Sequence, residues 1–583
     1  MKHDSKTFMG KKLLFVLRLW NKSTAFIIGL GALIWFLIRV IPKPSRASYP
    51  CQQAAFPIAS AFVVWLTATF SSMFILKKIK TTYSKHKIVS SICGATIIVV
   101  LIAWITIVPV GIKNSFGFAP ANDTAFVKAV GYDWKPGPSN TPIGVAAGIF
   151  PGRVVMVRNP LATKWAGNWK KQEDQWWLDK NTDVEKISEM LSVTLLKLTG
   201  ANKDKDAWDK IFKFYNKNSR GISNRSYNAG EVVALKINLN NSSEKKTDNQ
   251  SDATPQLVLA MVRQLVNNAG VSQNNIIIYD VRRSIYPAML TTVWKEFKDV
   301  RFLQEKEASK NQPVNPAYGD HHGIEGADWI EGVSYSAGNF KDAKIMPRQI
   351  KDATYLINMA MLKLHSYPYN YMEDGDEGQT AVTMTGKNHA GSIKGTPELH
   401  SILNPKLEGK KNAYSPLVDL AASPNLGAKT ILYLLDGLYC GRKWRTYPLH
   451  FPNPPFNNKV VPYENPEWPA SVLASFDGVA LQSVGLDLLY AQSKNNNEPT
   501  YHNVPRILVR DNADDFLREM ATPENAPSGT KYMQGGKPVK SLGVFEHWNN
   551  DIDMKYSRNL DPKKGKGVEF IFIPLGDKSK AKK

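Results

Sequence analysis

The chain has 583 residues and a formal net charge of +23, because 74 Lys and Arg face 51 Asp and Glu. Its length allows several compact domains, and its 43% hydrophobic content excludes a disordered chain. Three cysteines are too few for a disulfide framework or for an iron–sulfur cluster held by this chain alone.

Most of the positive charge lies near the start, since the first 122 residues hold 15 basic residues and one acid, Asp4. Between these basic residues lie three apolar runs, at 25–38, 56–76 and 88–112. A bilayer core needs about 20 apolar residues per helix, which predicts three transmembrane helices if the first run recruits its flanks. A signal peptide is the alternative for the first run, but no convincing cleavage site follows it. The charge is therefore attributed to membrane topology, and no nucleic-acid partner is expected.

The distribution of Lys and Arg also predicts the orientation of these helices, because basic residues are retained in the cytoplasm. With the leading tail and the second loop inside, 11 basic residues lie inside and 4 outside. This predicts a multi-pass protein in contact with the lipid bilayer, with a cytoplasmic N-terminus. The large region after Lys113 is then extracytoplasmic, and a cytoplasmic location for it is the alternative.

The chain divides into four predicted regions. Residues 1–113 form the membrane region, 114–230 a connecting segment rich in Pro, Gly and Trp, 231–500 an α/β domain, and 501–583 a C-terminal extension with a late strand at 568–573 and a charged tail. The connecting segment contains Trp165, Trp169, Trp176 and Trp177, followed by a helical pattern at 183–198. We expect these tryptophans to pack against the main domain rather than to stack on a sugar.

The region after residue 231 has the pattern of an α/β fold. An apolar run at 232–238 is followed by a helix at 255–269, which starts with Thr254-Pro255 and ends at Gly270, and by a strand at 275–280. Such a β-α-β unit has parallel strands. Further strands are predicted at 354–358, 430–435 and 471–475, with a helix at 479–490. The predicted fold is an α/β soluble domain with a mostly parallel sheet, preceded by three transmembrane helices.

Candidate site residues lie at the carboxyl ends of the predicted strands, where parallel α/β sheets bind ligands. They are Lys236, Asn238, Asp280, Arg282, Asn358, Lys363, His365 and Asp436. Lys236 lies within an apolar strand and needs a ligand or a carboxylate partner, either Asp280 or Asp436, because an unpaired buried ammonium is costly.

A Gly-flanked loop at 383–393 adds Lys387, Asn388 and His389. Lys and Asn side chains suit a small anionic ligand, and His365 with His389 and a carboxylate could hold a divalent metal ion. We assign candidate catalytic roles to Lys236, Asp280, His365, Lys387 and His389, and candidate ligand-binding roles to Asn238, Arg282, Asn358, Lys363, Asn388 and Asp436. A polar loop without chemistry is the alternative for residues 383–393.

Several segments resemble a known family, among them VALKINLN, LINMAMLKLHSYP, TGKNHAGSI and WPASVLASFDGVALQSVGLDLL. Over residues 232–490 the chain resembles the domain of unknown function 362. Many members carry Cys-rich ferredoxin-type clusters, which this chain lacks. Members also often read Asp-Pro-Val-Ala-Leu-Asp where this chain has Asp477-Gly-Val-Ala-Leu-Gln482.

Two other resemblances concern location and fold. Residues 131–154 resemble membrane-attached bacterial members of the same family, which implies a location in the bacterial inner membrane with a periplasmic C-terminal domain. The stretch 269–282 and the loop with Lys387 and His389 have a more distant similarity to the lactate racemase family, which is a resemblance of fold only.

Two functional hypotheses of different classes follow. The first is a membrane-anchored protein that binds a small anionic ligand or a metal ion, with or without catalysis, and it predicts that Lys236 and His389 lie close together. The second is a non-catalytic membrane scaffold that docks a partner. It predicts scattered polar residues and an exposed apolar patch around residues 165–177.

Overall fold

The computed structural model describes residues 138–364, 382–400, 414–441, 447–451, 453–456, 468–493 and 515–576. The three predicted membrane helices lie outside these ranges. Among the residues that are described, no helix has the length and apolar character needed to cross a bilayer.

A nine-stranded sheet organises the described residues. In chain order its strands are β1 (Arg153–Arg158), β2 (Val233–Lys236), β3 (Ile276–Tyr279), β4 (Arg301–Gln304), β5 (Ile324–Gly326), β6 (Tyr355–Met361), β7 (Thr430–Gly437), β8 (Ser471–Ser475) and β9 (Glu569–Pro574). Across the sheet they lie in the order β9-β1-β8-β7-β6-β2-β3-β4-β5. Six of the eight pairings are parallel, and only β8 is antiparallel to its neighbours. The prediction of a mostly parallel α/β sheet is confirmed.

Helices cover both faces of this sheet. They are α1 (Val184–Thr199), α2 (Asp204–Arg220), α3 (Pro255–Arg263), α4 (Pro287–Trp294), α5 (Arg348–Asp352), α6 (Thr385–Asn388), α7 (Thr396–His400), α8 (Pro416–Ala422), α9 (Gly478–Ser493) and α10 (Ser557–Leu560). Successive side chains of a strand point to opposite faces, so Val233 and Leu235 join the core under α1 to α4, whereas Ala234 joins the core under α8 and α9. Lys236 shares the face of Ala234.

Short strand pairs lie outside the main sheet. They are Ile143–Gly144 with Val544–Phe545, Trp329–Glu331 with Ile345–Pro347, Lys363–Leu364 with Val382–Thr383, Cys440–Gly441 with Pro448–Leu449, and Met533–Gln534 with Lys537–Pro538. All five pairs are antiparallel.

The predicted β-α-β unit is present with different helix geometry. Helix α3 starts at Pro255 as predicted, but after Arg263 the chain continues as a π-helical turn, Gln264–Asn268. Gly270 follows with a φ of 75°, a left-handed conformation that favours glycine at a helix end. Strands β2 and β3 are parallel, with Lys236 opposite Tyr279.

The connecting segment and the C-terminal extension contribute strands to the same sheet as the α/β domain. Strand β1 pairs in parallel with the late strand β9, and Arg153 forms an ion pair of 2.7 Å with Glu569. Three of the four tryptophans, Trp165, Trp176 and Trp177, are buried. They pack against the main domain as predicted. Trp169 is 44% exposed and stacks on Tyr447.

Candidate functional site

The strand order places the described candidate residues of β2 and β6 around one point of the sheet. From β2 the chain moves outward through β3, β4 and β5, and it then returns to add β6 and β7 on the other side of β2. Open α/β sheets bind ligands at the carboxyl ends of strands beside such a reversal. Lys236 ends β2, and Lys363 follows the end of β6 by two residues.

Lys236 is completely buried, and its ammonium has three acceptors. Nζ donates to Asp280 Oδ2 at 2.9 Å, to the Ile237 carbonyl at 2.5 Å and to Asn388 Oδ1 at 3.1 Å. Burial lowers the pKa of Lys236, and the Asp280 carboxylate opposes that shift. Of the two carboxylates that the sequence offers as partners, Asp280 is the one that pairs with Lys236.

Gly391 of the predicted Gly-flanked loop lies directly against this ion pair. A Cβ atom at this position would lie 2.6 Å from Lys236 Nζ and 2.7 Å from Asp280 Oδ2. Only a glycine allows the backbone to approach so closely. The loop is more regular than the sequence suggests, since it folds into α6 and a 3-10 turn, His389–Ser392.

Asn388 joins the ion pair to two further asparagines. Its Nδ2 donates to Asn358 Oδ1 at 2.8 Å and to the Lys236 carbonyl at 3.2 Å. Its Oδ1 also accepts a hydrogen bond from Asn238 Nδ2 at 3.2 Å. All of these side chains are buried, so the network holds each amide in one orientation.

His389 is attached to the same network through Asn358. Asn358 Nδ2 lies 3.1 Å from His389 Nε2 and also donates to the Thr385 carbonyl at 2.9 Å. An amide nitrogen only donates, so His389 Nε2 accepts and the proton of the neutral ring is on Nδ1. Burial, with the nearby charge of Lys236, lowers the pKa of His389 to about 3. His389 Nδ1 is buried and has no hydrogen-bond partner among the described residues.

A second polar cluster lies in the loop between β2 and α3, and sequence reasoning did not find it. Asp252 Oδ1 accepts from the backbone N–H groups of Asn240 at 2.7 Å and Asn241 at 2.9 Å. Asp252 Oδ2 lies 3.2 Å from Lys246 Nζ, and both side chains are buried. The loop has no periodicity, and the only signal was an acid two residues before the N-cap Thr254.

Lys363 lies beside this cluster without a hydrogen-bond partner. Its side chain is completely buried, yet Nζ meets no acceptor within the described ranges. Burial lowers the pKa of Lys363 to about 8, and the charge of Asp252 offsets only part of that shift. A buried ammonium without an acceptor is costly, so Lys363 Nζ needs a hydrogen-bond acceptor that the described residues do not supply.

Three other predicted residues lie around the site with partners of their own. Asp436 accepts from the backbone N–H groups of Thr254 at 2.8 Å and Leu438 at 3.1 Å, and burial raises its pKa to about 6. Arg282 donates from Nη1 to the Lys394 carbonyl at 2.7 Å. Lys387 is buried in α6.

The predicted metal site includes His365, which lies outside the described residues. In the part of the chain that is described, no group of three or more His, Cys, Asp and Glu side chains is arranged to hold a metal ion. His389 offers an N–H donor at Nδ1 in this arrangement, since Nε2 accepts from Asn358.

Comparison with known proteins yields one match. Residues 233–487 match the family described as Domain of unknown function (DUF362). This match confirms the resemblance to that family for the part of the chain from the start of β2 into α9. No curated protein and no solved structure matches the chain.

Proposed function

We propose that the α/β domain binds a small anionic ligand at the carboxyl ends of β2 and β6, beside Lys363 and Asn238. The observation that carries the proposal is the Lys363 ammonium, which is completely buried and has no acceptor among the described residues. An anionic oxygen would supply that acceptor, and hydrogen bonds between charged groups are the strong ones. The location agrees with this role, because the strand order reverses between β2 and β6.

Asn238 indicates a second property of the ligand. Its Nδ2 donates to Asn388, but its Oδ1 is buried without a partner in the described structure. The Ala253 N–H donates to the Asn238 carbonyl at 3.0 Å, which brings Asn238 next to the Asp252 cluster. A ligand that satisfies Asn238 Oδ1 carries a donor. We therefore infer an anion with a hydroxyl or N–H group in addition to its negative charge.

Lys236 has a different role in this proposal. Its three acceptors are already supplied by Asp280, Ile237 and Asn388. It therefore acts as a positioning residue that fixes Asn388, and through Asn388 the amide of Asn238. Lys363 contacts the ligand directly.

The test is a thermal-unfolding titration of the full chain with inorganic phosphate and with short carboxylates that either carry or lack a hydroxyl group. At least one of these probes is expected to raise the unfolding temperature of the unmodified chain, and the effect should be absent in Lys363→Met. Lys429→Met is the matched control, because Lys429 is also a buried lysine but donates to three backbone carbonyls at 2.8 Å each. If no probe stabilises the chain, or if Lys363→Met responds like the unmodified protein, the proposal is wrong.

We also propose that the three apolar runs before residue 113 anchor this domain in a membrane, with the domain outside the cytoplasm. The length of the runs and the excess of Lys and Arg in the leading tail and second loop support this topology. An alkaline phosphatase fused after Lys113 is expected to be active, because that enzyme folds only outside the cytoplasm. Activity of a cytoplasmic reporter alone at this position would reverse the orientation.

A further inference from the structure

A separate cleft opens on the face of the sheet that α8 and α9 cover. Its volume is about 380 Å³, within the range of about 300–1,000 Å³ typical of small-molecule sites. One wall is formed by α6 and the first turn of α9, and another by residues 534–542 of the C-terminal extension. The second wall lies outside the part of the chain that matches the family, which ends at residue 487.

Small residues keep this cleft open. Ala421, Ala422, Gly427 and Ala428, at and after the end of α8, line one side of it. At Gly478, a Cβ would lie 2.9 Å from the Tyr433 ring, so the start of α9 packs closely on β7. The space is therefore bounded by backbone and methyl groups on this side, which leaves room for a ligand.

The second wall is fixed in place by hydrogen bonds to the domain. Met533–Gln534 and Lys537–Pro538 form a hairpin through the turn Gly535-Gly536, whose φ angles of 57° and 75° are left-handed. Gln534 Nε2 donates to Asp419 Oδ1 at 3.0 Å, and the Met533 N–H donates to Ser336 Oγ at 2.9 Å. The hairpin is thus an ordered wall of the cleft, held by hydrogen bonds to Asp419 and Ser336, which do not line the cleft.

Among the described residues, the charged side chains that line the cleft are all positive. Lys537 and Lys540 line the cleft and are exposed, and no Asp or Glu belongs to the described residues that form its walls. Apolar surface comes from Val479, Met520, Val539 and Leu542. A ligand that matches these walls has an apolar body and one negatively charged group.

His389 provides an independent polar feature of the same cleft. It lines the cleft, is 1% exposed, and has a buried Nδ1–H without a partner among the described residues. Such a donor requires an acceptor. A carboxylate oxygen of the ligand would satisfy it.

We propose that this cleft is a binding site for a monocarboxylate with an apolar body, held at the carboxylate by Lys537 and Lys540. The apolar body lies against Val479, Met520, Val539 and Leu542. This site is distinct from the one beside Lys363, since the walls and the cations are different residues.

The experiment is calorimetric titration of the full chain with 4-phenylbutyrate and with its uncharged isostere, 4-phenylbutanamide. The carboxylate is expected to bind, and the amide to bind about tenfold more weakly, since two exposed charges together contribute about 1.4 kcal/mol. Lys537→Glu with Lys540→Glu is expected to weaken binding of the carboxylate by at least about tenfold for the same reason.

Three further variants separate this result from other causes. Lys531→Glu with Lys563→Glu makes the same change in net charge at exposed positions outside the cleft and should leave binding unchanged. Ala422→Phe places a ring in the cleft and should abolish binding of both probes. Lys363→Met should bind 4-phenylbutyrate like the unmodified chain, so the two proposed sites can fail independently. The proposal is overturned if the unmodified chain does not bind the carboxylate at millimolar concentration, if the amide binds equally well, or if either cleft variant binds normally.

Discussion

Replacement of Lys363 by methionine is expected to stabilise the folded chain, although it removes a buried polar residue. Methionine has a similar length and no charge, and Lys363 Nζ makes no hydrogen bond within the described ranges that would be lost. Burial lowers the pKa of Lys363 from 10.5 to about 8. Each pKa unit corresponds to about 1.4 kcal/mol, so the charged ammonium destabilises the fold by about 3 kcal/mol at neutral pH.

The pH dependence gives this prediction a second measurable signature. Below pH 8 both the folded and the unfolded chain hold the proton on Lys363, and the full cost of the buried charge is present. The folded chain loses this proton near pH 8, whereas the unfolded chain keeps it until about pH 10.5. Stability therefore rises with pH across this interval, since the unfolded state binds more protons. The advantage of Lys363→Met over the unmodified chain should shrink from pH 8 to pH 10.5.

The assay is urea unfolding of both proteins at pH 7 and at pH 10, in the absence of added ligand, with Lys429→Met as the control. The pKa of Lys429 is also lowered to about 8 by burial, but its Nζ donates to the carbonyls of Ile350, Lys351 and Ala353. Hydrogen bonds to a charged group contribute about 1.5–3 kcal/mol each, so the loss of three outweighs the roughly 3 kcal/mol gained by removing the buried charge. The control is therefore expected to be destabilised by about 2–6 kcal/mol. The reasoning is refuted if Lys363→Met unfolds at a lower urea concentration than the unmodified chain at pH 7, as the control should.

Three further substitutions test the polar network, each by urea unfolding. Asp280→Ala should destabilise the chain by about 3–5 kcal/mol, because it leaves the buried charge of Lys236 unpaired, and a loss below 1 kcal/mol would contradict a buried ion pair. Gly391→Ala should destabilise by about 1–3 kcal/mol, since its Cβ would displace Lys236 Nζ, whereas Gly221→Ala, where nothing lies within 4 Å of the Cβ, should show only backbone strain. Asp477→Ala removes the acceptor of four backbone N–H groups and should destabilise by about 3–4 kcal/mol, and a ligand-binding role would instead leave stability unchanged.

Asp477 lies in a segment that resembles the family, and the structure gives its carboxylate a structural role. Near this residue the chain has Gln482 where members of the family often have Asp. In the structure Asp477 caps the start of α9 at the N–H groups of Val479 and Ala480. It also holds Ala147 and Val544 from the two ends of the described chain. The carboxylate is explained by this structural role.

Local signals predicted those parts of the fold that depend on neighbouring residues. The apolar runs of β2 and β3 and the Thr254-Pro255 helix start were visible in the sequence because each is determined within a few residues. The pairing of β1 with β9 was not visible in the sequence. Arg153 and Glu569 are separated by 416 residues, and the sequence of a strand does not indicate which other strand it pairs with. The late strand was predicted, but not that it completes the same sheet as a strand of the connecting segment.

In the candidate site, too, the sequence predicted individual residues better than the contacts between them. A lysine inside an apolar strand needs a partner, which made Lys236 a candidate. The rule about strand ends gave Asp280 and Asn358, and the Gly-flanked loop gave Asn388; the structure brings these residues together with Lys236. Lys246 and Asp252 were missed because they pair within an irregular loop, where residue spacing does not report which side chains meet. The unpartnered state of Lys363 depends on all of its surroundings, so only a structure could reveal it.

The missing hydrogen-bond partner distinguishes Lys363 from the buried lysines that have a purely structural role. Five lysines are buried in the described ranges: Lys236, Lys246, Lys363, Lys387 and Lys429. Lys236 and Lys246 pair with carboxylates, and Lys429 is surrounded by carbonyls, as expected of lysines retained for stability. Lys363 alone among them has a buried Nζ without a hydrogen bond in these ranges. Lys363 lowers the stability of the fold and makes no hydrogen bond that compensates for this cost. Such a residue is best explained by an interaction made only when a ligand is bound, and we assign that interaction to the anion.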